Sequence, residues 1–249
     1  MSGIALLALL VFAAARGVGP PPKAVIGKDG APMVLVPAGW FIMGSDDGDE
    51  NEKPRRRVYL DAFYIDKRPV TNARFHAAGV SPHQDYGEKF HGPQQPVVCV
   101  AWLQAKENCQ KAGKRLPTEA EWEKAARGTD GRKHPWGNSW APDKLIWRKN
   151  SGDKTHPVDR AVLTHESPYG AADMAGNVWE WVSDWYDKDY YRNAPDRNPQ
   201  GPGSGRMRVL RGGSWNFDNA GDFRAAARVR NDPGYTDDDM GFRCAQDLK

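Results

Sequence analysis

Glycine or proline interrupts this chain so often that long regular helices cannot organise it. There are 26 Gly and 19 Pro in 249 residues, and these residues respectively free and fix the backbone in ways that favour turns. Ten Trp residues balance that looseness, because large rings can pin irregular backbone against a core. The expectation is a loop-rich α+β fold with short strands and two main helices. At 39% hydrophobic residues the chain can bury a sizeable core, and its length fits one large domain.

Charge excludes some partners. The 35 basic and 32 acidic residues leave a net +3, too small an imbalance for a nucleic-acid footprint. The sharpest local contrast runs from Asp46, Asp47, Asp49, Glu50 and Glu52 into Lys53, Arg55, Arg56 and Arg57, and reads as a solvated loop. At the N-terminus, twelve uncharged and mostly apolar residues from Ile4 to Ala15 precede Arg16 and Pro20-Pro21-Pro22. Residues 1–22 thus read as a secretory signal or an N-terminal anchor with a Pro-rich linker, and the domain as residues 31–249. A signal implies a periplasmic or extracellular protein; an anchor adds membrane association. Cys99, Cys109 and Cys244 allow at most one internal disulfide, which export would favour.

Local patterns place the elements. Met33–Val36 and Trp40–Met43, joined by Pro37-Ala38-Gly39, read as a hairpin, and Val58–Ile65 as one strand. Thr71 is placed to cap a short helix through Phe75. Trp102, Ala105 and Cys109 share one face of a helix that Gly113 can end, pointing Cys109 at the core. Thr118 and Glu121 form a capping box for a second helix, stopped at Gly128. Residues 129–170 hold no period and read as extended loop. Asn177–Tyr186 and Phe223–Arg230 alternate like strands.

Common catalytic signatures are missing: no HExxH, GxGxxG or GxxxxGK[ST] occurs, nor GxSxG in a strand-to-helix setting. The six histidines lack paired metal spacing, so no histidine-ligated iron or zinc is expected. What stands out is an ordered series: Met33–Gly39, Phe41–Ser45, Pro69–Asn72, Pro96–Trp102, Gly113–Glu123, Pro135–Asn138, Asp173–Trp181, Arg211–Trp215 and Gly241–Arg243. From about residue 31 to 246 the chain resembles the formylglycine-generating enzymes of the sulfatase-modifying-factor family, which implies a variant of the C-type-lectin fold.

Several of these motifs are scaffold in their own right. The RLPTEAEWE run is a helix cap with Trp122 as anchor, and GNVWEW is a Gly turn feeding a strand. Arg115, Arg228 and Arg230 read as partners of Asp or Glu. The resemblance implies a calcium site at Asn177 and Glu180, whose oxygens are hard ligands. It does not extend to the family's other calcium site, where an Asn-Ile pair is replaced by Leu145-Ile146. It also implies a structural disulfide between Cys109 and Cys244, leaving Cys99 as a buried thiol.

The family's redox-active pair of thiolates, which binds copper(I), follows the RGGS[WY] motif closely. Here Phe217 occupies the first cysteine position, and the shortened region of the second holds Gly and Asp. No copper is therefore expected. The family's Asn before GFR is Asp239, and Ser214 is retained. Two functions remain open. One is an accessory subunit without formylglycine-generating activity, binding a protein or small ligand through the 216–240 loop: Trp215, Asn216, Phe217, Asp218, Asn219 and Tyr235. The other is a maturation oxidoreductase of the wider superfamily using Ser214, Asp218, Asp222 and Asp239.

Overall fold

A computed structural model of the chain describes residues 22–81, 87–160 and 165–248; apart from Pro22, the expected signal or anchor segment lies outside them. Among the described residues, three sheets, four α-helices and four short 3-10 helices make up the fold. One sheet runs β1-β2-β5-β10, from Ala24–Ile26, Pro32–Val36, Phe63–Asp66 and Ala245–Asp247. A two-stranded ribbon joins β3 (Gly39–Met43) to β4 (Arg56–Leu60). The third sheet, β8-β7-β6-β9, joins Arg228–Asn231, Arg208–Arg211, Trp179–Trp185 and Met240–Phe242, with β6 and β9 parallel. Among the described residues no helix is long and apolar enough to cross a membrane.

The two main helices form where local chemistry places them. The Thr118 side chain accepts from the Glu121 N–H at 3.1 Å while Glu121 reaches back to the Thr118 N–H at 2.7 Å. This reciprocal cap opens α3 (Glu119–Arg127) and satisfies two otherwise orphan donors. In α2 (Trp102–Lys111), Trp102, Ala105 and Cys109 are buried together as their spacing requires. The short α1 (Asn72–Ala77) starts at Thr71, whose hydroxyl accepts from Arg74, and α4 (Tyr190–Asn193) follows β6.

Strand pairing departs from the sequence reading. Met33–Val36 and Trp40–Met43 do not pair: β2 lies between β1 and β5, whereas β3 pairs with β4. Nor is Val58–Ile65 one strand. Asp61 and Asn198 bond each other through the Asp61 N–H and carboxylate, at 2.9 and 2.8 Å, fixing a corner at which the chain changes sheets. The alternation from Phe223 to Arg230 yields strand only from Arg228. Upstream, the carbonyls of Ala225 and Ala226 accept from the Arg211 guanidinium, so a ladder partner is replaced by a side chain.

Tryptophans pin the irregular stretches. Trp181 donates to the Val100 carbonyl at 2.9 Å and Trp102 to the Val182 carbonyl at 2.7 Å, each ring remaining in the core. Cys109 and Cys244 form the implied disulfide, with Cα atoms 5.6 Å apart across 135 residues. It ties α2 to the turn before β10. In chain-entropy terms such a loop closure contributes on the order of 4 to 5 kcal/mol before strain. Cys99, outside it, is buried.

Candidate functional site

Beyond β7 the chain passes through Gly212 and Gly213, both at positive φ. A side chain at Gly213 would land against the Phe223 ring, so glycine here answers both to backbone conformation and to space. The turn delivers Ser214, fully buried, opposite Asp239 at the entrance of β9. The Ser214 hydroxyl donates to Asp239 Oδ2 at 2.7 Å. Burial, with the neighbouring Asp237 and Asp238 charges, pushes the Asp239 carboxyl up to about 7 against the pull of the Ser214 bond. Burial and the Asp237 charge raise Asp238 as well.

Around that pair lies a largely acidic surface. Oxygens of Asp237, Asp238 and Asp239 lie within 4.8 Å of one another. The exposed Tyr235 donates its hydroxyl to Asp237 at 2.9 Å. Trp215 Nε1 donates to the Asp238 carbonyl at 3.0 Å, and Lys89 stands 5.5 Å from the centre of the Trp215 ring. Cys99 lies in the same apolar cluster as Trp215, with its N–H bonded to the Asp237 carbonyl at 2.9 Å.

The sequence-predicted residues divide. Ser214 and Asp239 meet; Asp218 and Asp222 do not join them. Asp222 is raised by burial and by Asp49, and feels Arg224 and Asp218. Asn216, Asp218 and Asn219 are exposed as a binding face requires. Trp215, by contrast, is only 4% exposed, so it supports that face from beneath rather than forming it. Phe217 is half-buried and meets the Trp179 ring edge-on at 5.4 Å, taking up apolar volume where the resemblance places a thiolate. Asp237, Asp238 and Lys89 were not singled out from sequence; the Asp237-Asp238-Asp239 run before GFR was the available signal.

Asn177 and Glu180, the residues of the calcium expectation, are both buried and hydrogen-bonded. Glu180 accepts from Arg243 Nε and Nη2 and from Trp122 Nε1, all at 2.7 Å, with the carboxylate buried. Its charge is thus already matched by a two-pronged guanidinium. Asn177 turns its amide to His156, accepting from its N–H at 2.9 Å and donating to its carbonyl at 3.0 Å. Both residues of the calcium expectation thus have protein partners, a guanidinium for Glu180 and a backbone clamp for Asn177. Arg115 and Arg228 do pair with acids, Glu121 and Glu119 respectively, but Arg230 lies over the Tyr186 ring.

Chemically, the proton of the Ser214 hydroxyl has one side-chain acceptor, the Asp239 carboxyl. That carboxyl, raised to about 7, is protonated below neutrality and can accept a proton only as it ionises above it. The carboxyl-rich surface around it can accept hydrogen bonds and positive charge.

Comparison with known proteins bears on this geometry. A formylglycine-generating enzyme of Streptomyces coelicolor is 35% identical over 86% of this chain and 89% of its own length. A Chlamydia pneumoniae protein named serine/threonine-protein kinase pkn1 is also 35% identical, over 92% of this chain, which spans only 39% of that relative. The solved structure of PvdO from Pseudomonas aeruginosa superposes with a TM-score of 0.77 at 28% identity, covering 92% of this chain and all of that one. Residues 22–248 match the Sulfatase-modifying factor enzyme 1-like domain, and the chain belongs to that family.

Proposed function

We propose that this chain is a recognition module exported to the periplasm or the extracellular space. It binds a protein partner through the face formed by Asn216, Asp218, Asn219, Tyr235, Asp237 and Asp238. One observation carries this reading: Phe217 takes up apolar volume against Trp179 where a catalytic thiolate would stand, and two of the three cysteines are joined as a disulfide. A thiolate pair for copper(I) and oxygen chemistry cannot be assembled from these side chains. The exposed polar loop above supplies hydrogen-bonding groups and acidic charge, and so favours a partner with a basic patch. The disulfide supports an oxidising compartment.

The test is native co-purification of the full chain beside a variant combining Tyr235→Ala and Asp237→Lys. A partner held near one-to-one by the wild type and released by the variant, with thermal unfolding of the chain not lowered, is the expected result. A chain that purifies alone overturns the reading. So does aldehyde formation on a CxPxR sulfatase peptide supplied with copper and oxygen.

A further inference from the structure

Away from the Ser214–Asp239 face, β2, the loop before α1 and the segment around Val158 line a half-open cavity of about 520 Å³. That is the size range of small-ligand pockets. Ala31, Pro69 and Val158 supply apolar walls, with Ala31 and Val158 almost fully buried. Four charged side chains also line it, and their pairing is unequal. Lys67 is matched by Glu166 at 2.6 Å. Arg74 is matched by Asp29 at 2.5 Å and Asp66 at 3.0 Å. Arg68 and Asp159 also line this cavity, one half-buried and one exposed. Among the described residues neither makes a hydrogen bond or an ion pair, and they do not pair with each other. Lys67 and Arg74 are compensated by carboxylates that do not line the cavity, so the uncompensated charge of the lining is one cation and one anion.

We propose that this cavity binds a small aminocarboxylate, a zwitterion whose carboxylate meets Arg68 and whose ammonium meets Asp159. Apolar atoms of the ligand cover Ala31, Pro69 and Val158. A planar guanidinium can receive both carboxylate oxygens at once. A simple anion would leave Asp159 opposed to it, and a simple cation would face Arg68, so only a ligand with both charges complements the lining. A dianionic phosphate is disfavoured for the same reason.

The test uses the full chain and four probes in calorimetric titration: leucine and 6-aminohexanoate, which carry both charges at different spacings, and hexanoate and hexylamine, which carry one each. Saturable binding of leucine or 6-aminohexanoate is expected, at least tenfold tighter than either single-charge probe. Arg68→Gln and Asp159→Asn should each weaken it tenfold or more. Both positions lie outside the buried core, and unchanged melting of each variant separates lost binding from lost folding. The proposal fails if neither zwitterion saturates up to about 10 mM. It also fails if hexanoate or hexylamine binds equally well, or if either variant binds as the wild type does. None of these outcomes depends on the partner face around Tyr235.

Discussion

Around α3, Glu119 and Glu123 are buried among three guanidinium groups. Ahead of β9, on the same sheet that carries two of those arginines, Asp239 is buried with Asp237 and Asp238 as its charged neighbours. In the first region Arg211 bonds Glu119 at 3.0 Å and Glu123 at 2.6 Å, Arg228 grips both oxygens of Glu119, and Arg127 adds a second bond to Glu123. In the second, the short bond to Asp239 comes from the neutral Ser214. Burial alone therefore does not mark function. Compensated charge holds elements together, here α3 against β7 and β8. Asp239, buried without a guanidinium, is tolerated by keeping its proton up to about 7, and the carboxyls beside it leave capacity for a cation or donor from outside.

The largest effect that would break this contrast is at Arg211. Substituting Met keeps length and apolar volume but leaves Glu119 to Arg228 and Glu123 to Arg127, one guanidinium fewer for each buried carboxylate, and removing one partner of such a network costs about 3 to 5 kcal/mol. Urea unfolding should show that loss. A change below about 1 kcal/mol would mean that the α3 network is no better compensated than the acidic cluster.

Asp239→Asn should act in the opposite direction. Asp239 is raised to about 7 from an ordinary 3.8. As pH climbs through the unfolded value, the unfolded chain releases this proton while the folded chain keeps it, so stability falls until the folded carboxyl also ionises near 7. The wild type thus loses stability between about pH 4 and pH 7, and an amide, still able to accept from Ser214, does not. The variant's advantage should be greater at pH 8 than at pH 4 by on the order of 2 to 4 kcal/mol. Asp184, likewise raised to about 7 by burial and by Glu119, titrates in both proteins and drops out of the difference. Equal melting-temperature differences at the two pH values would remove Asp239 from the uncompensated class.

How much of this was legible depends on the distance between partners. The α3 cap was readable because Thr118 and Glu121 lie three residues apart, and the α2 face because 3.6-residue periodicity is local. The sheet order was not, since neither face of β2 names β5 as its neighbour, and the corner at Asp61 depends on Asn198, 137 residues away. The same limit separates the two acidic sites. Glu180 looked like a free oxygen ligand because Arg243 lies 63 residues downstream, whereas Ser214 and Asp239 were both suspected without their bond being visible. The disulfide came from family resemblance, not from spacing, and Arg68 with Asp159 carried no motif at all.

The smallest effect tests whether the three aspartates form one electrostatic unit. Asp237 is partly exposed and accepts from Tyr235, so Asp237→Asn retains a hydrogen-bond acceptor while removing one of the two like charges acting on Asp239. The Asp239 midpoint should then move down toward the ordinary carboxylate range, with a stability gain of roughly 0.5 to 1 kcal/mol at pH 8. Carboxyl-carbon NMR titration reads the midpoint directly. Lys89 opposes the cluster from the Asp238 side, so Lys89→Met should shift the Asp238 titration upward. If Asp237→Asn leaves the Asp239 midpoint where it was, burial alone sets the proton on Asp239, and the face around Tyr235 carries less shared negative charge for a basic partner than the geometry implies.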